Sequence, residues 1–197
     1  MIGILIVTMI LCIFIIFIVG MAFLDNFLSS DWYPYTRGQD LPERGFEYLV
    51  IDKKGGIGDL CRIGQDSNSA IENLGKPDSF ESYLDPDFLI IKYNYYRYKK
   101  YGLRISSRKG KINEMKFDFD ENMIDRIRFY DDKKIDYPLF MERIYNLYGR
   151  EYTDGKPHID CSYLTHLHYY IDDIHFFFTM EMDRVSRLAI QKPRLSE

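Results

Sequence analysis

The stretch Tyr101–Phe119, YGLRISSRKGKINEMKFDF, decides the fold. Leu103 and Ile105 alternate with polar residues, Ser107-Arg108-Lys109-Gly110-Lys111 makes a Gly-containing turn, and Ile112, Met115, Phe117 and Phe119 supply a second apolar face. The pattern is that of two strands joined as a hairpin. A shift of 73 positions turns Leu103 into Phe176, Ile105 into Phe178, Ile112 into Val185, Met115 into Leu188 and Phe117 into Ile190. The same shift carries Ile71, Asn73 and Leu74 to Ile144, Asn146 and Leu147. An unbroken offset across a helix and two strands implies one unit used twice.

Working outward, Phe46–Asp52 reads as a strand, Lys53-Lys54-Gly55-Gly56 as a turn, and Ile57–Ile63 as a returning strand. Asp66 or Ser67 caps a short helix through Leu74, which Gly75 ends with Pro77 just beyond. Phe88–Tyr98 is a long aromatic strand leading into the hairpin. Ile127 and Phe129 suit a short strand in the charged segment Asp120–Lys134. The second unit opens with Asp136 as cap and Pro138 in the first turn of a helix whose apolar stripe is Leu139, Phe140, Ile144 and Leu147. Strands over Cys161–Tyr170, Ile174–Met182 and Val185–Ile190 follow.

Ahead of all this, Met1–Leu24 carry no charged side chain. At about 1.5 Å per residue such a helix spans roughly 36 Å, enough for a bilayer core. Phe27, Trp32, Tyr33 and Tyr35 follow as an interfacial aromatic belt would. A basic leader is absent, so the segment reads as an uncleaved anchor rather than a signal peptide. Arg37 and Arg44 alone would hold the domain in the cytoplasm. A short N-terminus before a large C-terminal domain is the bacterial signal-anchor layout, and favours an extracytoplasmic, periplasmic domain on a single-pass inner-membrane protein.

The sequence therefore leads to an α+β expectation: a transmembrane anchor over 1–24, a linker over 25–44, a first helix-plus-antiparallel-sheet repeat with a leading hairpin over 45–135, and a second repeat over 136–197. With 17 Tyr and 14 Phe, the composition excludes disorder and suits β-rich packing. A net charge of −4 gives no global pull toward nucleic acid. The three cysteines, Cys12, Cys61 and Cys161, show no metal-binding spacing. Cys61 and Cys161 fit either a disulfide or two buried thiols.

Ile63-Gly64-Gln65-Asp66-Ser67 followed by Leu74-Gly75-Lys76-Pro77 resembles the opening of the small repeats in β-lactamase inhibitor proteins and in BamE (SmpA) type outer-membrane assembly lipoproteins. The likeness covers about 60 residues of the first unit. It is weaker in the second, where Arg150-Glu151 and no proline follow Gly149. Small immunity proteins that neutralise bacterial toxins share similar folds. The resemblance implies a helix-plus-sheet module that binds protein and performs no chemistry.

Candidate chemistry is sparse. His166-Leu167-His168 places two imidazoles on one strand face, with His158, Asp160 and Cys161 just upstream, but the spacing matches no established metal site. Cys161 lacks the surroundings of a nucleophile. Gly55-Gly56-Ile57-Gly58 is followed by a strand, whereas a phosphate loop needs a helix there. No catalytic, cofactor or metal residue is assigned. The run Lys92–Tyr101 interleaves aromatics and cations, and Tyr93, Tyr95, Tyr96, Arg97 and Tyr98 are the candidate contacts for a protein partner. The expected function is a membrane-anchored, non-enzymatic protein-binding module of the inhibitor or immunity type, with a toxin or envelope protein as partner. The alternative is an envelope structural or assembly factor.

Overall fold

The structure, a computed structural model, describes residues 11, 13–20, 41, 43–84, 92–150 and 164–193. The chain divides into two units, residues 1–39 with 84–91 and residues 40–83 with 92–197. In the first, residues 13–20 form helix α1, whose side chains from Ile13 to Val19 are all exposed.

The second unit is built from strands. A small sheet has the order β3-β2-β1-β8, from Cys61–Arg62 (β3), Gly56–Ile57 (β2), Leu49–Ile51 (β1) and Ile127–Phe129 (β8). A seven-stranded sheet has the order β4-β5-β6-β7-β11-β10-β9. Its strands are Ser79–Leu84 (β4), Lys92–Tyr98 (β5), Leu103–Arg108 (β6), Lys111–Asp118 (β7), Leu164–Ile171 (β9), Ile174–Glu181 (β10) and Arg184–Gln191 (β11). The helices of this unit are α2, Ser67–Leu74, and α3, Met141–Tyr148.

Two sequence expectations are corrected here. The class is mostly β rather than α+β, because α2 and α3 span only 8 residues each beside two extended sheets. No helix among the described residues is long and apolar enough to cross a membrane. A hydrocarbon core of about 30 Å needs about 20 helical residues, and the described part of α1 falls well short. The anchor over 1–24, the single-pass topology and the periplasmic inner-membrane placement are withdrawn with it. The aromatic belt from Phe27 to Tyr35 lies outside the described residues.

The offset of 73 recurs in the backbone pairing. Leu103 faces Phe117 and Ile105 faces Met115 in β6–β7; Phe176 faces Ile190 and Phe178 faces Leu188 in β10–β11. Each hairpin has its register shift at the same place, between Ser106 and Ser107 and between Thr179 and Met180. The join between the hairpins maps onto itself: Leu188 opposite Phe117 becomes Ile190 opposite Met115, and Lys116 opposite Ala189 exchanges with itself. Strands from both expected repeats thus lie in one continuous sheet.

Each helix is tied to its hairpin in the same manner. Ser67 N donates to Gly110 O (2.9 Å) and Ile112 N to Gln65 O (2.9 Å). Met141 N donates to Asp183 O (3.0 Å) and Val185 N to Leu139 O (2.7 Å). That second pair explains why α3 begins at Met141 and not near Asp136. The backbone at Leu139–Met141 is committed to the start of β11, so it cannot also turn helically. Phe140, expected in the apolar stripe, is 46% exposed. Asp66 caps α2 by accepting from Asn68 N and Ser69 N, whereas Phe140 at the equivalent place offers no side-chain cap. Gly75 (φ 84°) and Gly149 (φ 90°) end the helices in a conformation that disfavours other residues. The Gly75 carbonyl accepts from Tyr98 Oη (3.0 Å) and the Gly149 carbonyl from Tyr169 Oη (2.9 Å).

One hydrophobic cluster fills the inner face of the large sheet. It joins Leu103, Ile105, Met115, Phe117, Phe176, Phe178, Leu188 and Ile190 to Leu74, Ile144, Leu49, Ile51 and Phe129. Tyr148 at the end of α3 packs on Phe129, Phe176, Phe178 and Tyr169.

The paired tyrosine contacts predict equal losses. Tyr98→Phe and Tyr169→Phe each leave a helix-end carbonyl without its hydroxyl donor, costing about 1–2 kcal/mol. Denaturant unfolding is expected to show a lowered midpoint for both variants with an unchanged slope.

Candidate functional site

By the period-two alternation of the seven strands, one face of the large sheet packs on the core and the other points away from it, and neither α2 nor α3 covers that outer face. Cross-strand pairing arranges its residues in rows. One runs Tyr95, Ser106, Glu114, Gln191, His175, Tyr170 from β5 to β9; the next runs Arg97, Arg104, Lys116, Ala189, Phe177, His168.

Across the join, Asp118 on β7 accepts from Arg104 Nη2 on β6 at 3.0 Å to both oxygens and from Arg187 Nε on β11 at 2.8 Å. Lys116 and Glu114 pair at 2.9 Å. These three partly exposed ion pairs are worth little stability each, roughly 0–1 kcal/mol. They set three cations against two carboxylates in the middle of the face.

The two ends of the face differ. At the β4–β5 end, Tyr83 (54% exposed) and Tyr95 (42% exposed) meet edge-on with ring centroids 5.7 Å apart. Ser79, Glu81, Tyr83, Tyr95, Tyr96, Arg97 and Arg104 line a shallow cleft there. Tyr83 Oη donates to Glu81 Oε2 (2.5 Å), and that hydrogen bond holds its hydroxyl above the usual tyrosine range. Arg97 lies directly opposite Arg104. Arg104 is bound to Asp118, whereas Arg97 makes no ion pair among the described residues.

This splits the five candidate contact residues. Tyr95 and Arg97 are exposed and Tyr93 is half-buried, while Tyr96 and Tyr98 point into the core. Tyr98 is the hydroxyl donor to Gly75, and Tyr96 packs on Phe80 at 5.2 Å.

At the β9–β10 end the face is aromatic and imidazole-rich. His166 and His168 do share a face, with Leu167 and Tyr169 buried beneath. The sequence reading missed their neighbour, His175. The paired Ile171 and Ile174 enclose a two-residue Asp172-Asp173 loop, which sets His175 opposite Tyr170 and diagonal to His168. Strict alternation across that loop was the available signal. His168 Nδ1 and His175 Nε2 are 3.1 Å apart. Tyr170 stacks flat on His175, with centroids 4.5 Å apart and planes 6° from parallel. Burial, with His168 beside it, pushes the His175 imidazole down to about 4.

Other sequence candidates are structural. Gly55-Gly56 is a hairpin turn, in which Asp52 Oδ1 accepts from Lys54 N and Gly56 N. A Cβ on Gly55 would sit 2.5 Å from Ile174. Cys61 is a buried free thiol against Met115 Sδ (3.5 Å), pushed up to about 12 by burial, which removes it as a nucleophile. His158, Asp160 and Cys161 lie outside the described residues. Among the described residues, no group of three or more His, Cys, Asp or Glu converges as a metal site.

No family model matches the chain, and no curated protein matches it. Among solved structures it is similar to a cysteine-rich secretory protein from Staphylococcus aureus subsp. aureus Mu50, at 15% identity and a TM-score of 0.41. The match covers 75% of this chain and 51% of that protein, so the chain spans about half its length. A likeness of that size carries no argument about fold or activity. None of these comparisons bears on the inhibitor, BamE-type or immunity-protein resemblance.

The depressed His175 fixes the sign of a pH effect. The fold favours its neutral form, so its contribution is present above the unfolded value of about 6.5 and is lost as pH falls through about 4. Facing groups are His168, Tyr170 and Gln191, with Glu114 opposite Gln191. Unfolding free energy, measured in chelator-containing buffer, is expected to fall between pH 6.5 and 5. His175→Asn should remove that part of the slope, whose full extent is on the order of 2–3 kcal/mol.

Proposed function

We propose that this chain is a non-enzymatic protein-binding module whose contact surface is the β4–β5 end of the outer sheet face. One observation carries the reading: Tyr83, Tyr95 and Arg97 stand together, exposed, beside an edge strand. Tyr and Arg are the residues that most often anchor protein interfaces, because each combines a large contact area with directional hydrogen bonding. Among the described strands β4 is at the end of the sheet, a position from which an incoming strand can extend it.

Catalysis is the less supported reading. Cys61 is buried with its thiol raised, and the cleft brings no nucleophile and base together among the described residues. Binding by occlusion, as an inhibitor-type module does, needs only the surface itself.

The test separates surface from core. A partner captured with the full chain should lose about tenfold or more in affinity to Tyr95→Ala combined with Arg97→Ala, with stability unchanged. Tyr96→Ala instead should cost about 3 kcal/mol or more of stability, as loss of a buried aromatic does. Unchanged affinity in the Tyr95/Arg97 double variant would place the contact surface elsewhere.

A further inference from the structure

Three of the chain's four histidines stand on the outer face of the β9–β10 hairpin. His168 and His175 are diagonal neighbours on adjacent antiparallel strands, a separation that long or aromatic side chains bridge. Their facing nitrogens, Nδ1 of His168 and Nε2 of His175, are 3.1 Å apart. The ring centroids are 5.1 Å apart and the ring planes lie 23° from parallel.

The surroundings hold this pair in place. Tyr170 covers one face of His175, and the Gln191 side-chain amide reaches its far nitrogen, Nδ1, at 3.3 Å. Phe177 walls off the third imidazole: it stacks on His166 at 4.7 Å and meets His168 edge-on at 4.8 Å.

We propose that His168 Nδ1 and His175 Nε2 form a two-imidazole chelate for a borderline divalent cation, Zn²⁺ or Cu²⁺. Ligands that each sit about 2.0–2.1 Å from such an ion, at neighbouring coordination positions, are separated by about the distance seen between these nitrogens. Neutral imidazole selects Zn²⁺, Cu²⁺ and Ni²⁺ over the oxygen-seeking Mg²⁺ and Ca²⁺. Among the described residues these two imidazoles are the ligands, with no third His, Cys, Asp or Glu converging on them. Gln191 acts from behind: an amide on the far nitrogen fixes the ring and its tautomer, as outer partners of metal-bound histidines do.

The protons balance by tautomer exchange within each ring. In the metal-free pair one ring donates its N–H to the other. If His175 is the donor, its proton moves from Nε2 to Nδ1, where the N–H donates to Gln191 Oε1 once that amide turns over. If His168 is the donor, its proton moves from Nδ1 to Nε2. Each ring then presents a lone pair to the ion, and both remain neutral.

Calorimetric titration of the full chain with ZnCl₂ and with CuSO₄ tests this independently of the protein-binding reading. One site per chain is expected, tighter for Cu²⁺ than for Zn²⁺. His175→Asn should abolish it, Gln191→Ala should weaken it by about tenfold, and His166→Asn should leave it intact. A readout on the unsubstituted chain guards against misfolded variants. In imidazole ¹⁵N spectra, Zn²⁺ should displace the His168 Nδ1 and His175 Nε2 resonances together and leave those of His166 in place. Absence of binding, binding that survives His175→Asn, or spectra in which these two nitrogens do not move would each overturn the proposal.

Discussion

Five residue pairs, from Arg187 opposite Asp118 to Gln191 opposite Glu114, join β7 to β11 and turn two hairpins into one sheet. Without that seam, β7 and β11 would each be an edge with unpaired backbone groups, a condition that proteins otherwise have to cover or blunt. Because the seam is antiparallel and centred on Lys116 and Ala189, each hairpin presents the same strand to the other. Phe117 and Ile190 then fall on the inner face beside Met115 and Leu188, and α2 and α3 have a single apolar surface to cover. Asp118, bound by Arg104 on one side and Arg187 on the other, repeats the connection on the outer face.

The same alternation that builds the core makes the outer face available. Its two ends hold equivalent backbone positions but different chemistry. Tyr95 and Arg97 precede the β5–β6 turn as His166 and His168 precede the β9–β10 turn. One end offers aromatic and guanidinium groups suited to a protein surface, and the other offers imidazoles suited to a metal ion. A scaffold whose backbone pairing repeats while its outer residues differ from end to end is able to carry the two separate roles proposed above.

Much of this was legible in the sequence, and the failures have physical causes. The strands of both hairpins and the helix from Ser67 to Leu74 follow from alternation, turn residues and the Asp66 cap. Apolar length alone points to an anchor, but no helix among the described residues is long and apolar enough to cross a membrane. The helix signals are real, but they mark two helices of only 8 residues each beside a four-stranded and a seven-stranded sheet, so the class is mostly β. Tyr96 and Tyr98 were assigned to the surface because β5 carries tyrosines on both faces, so periodicity could not say which face the core takes. Asp136 and Pro138 signal a helix start ahead of the observed one at Met141, because the hydrogen bond from Val185 N to Leu139 O is a long-range competitor invisible to local pattern. Both His175 beside His168 and β8 parallel to β1 depend on pairing between segments rather than on either segment alone.

Residue-resolved amide hydrogen exchange of the full chain measures the seam most directly. If β7 and β11 are joined, the amides of residues 114–118 and 187–191 that bond across the seam exchange as slowly as those bonded within the two hairpins, and far more slowly than the outward amides of β4 and β9. Exchange of the cross-seam amides at the rate of those outer edges would contradict the account, since it would leave two separate sheets where one continuous sheet is described.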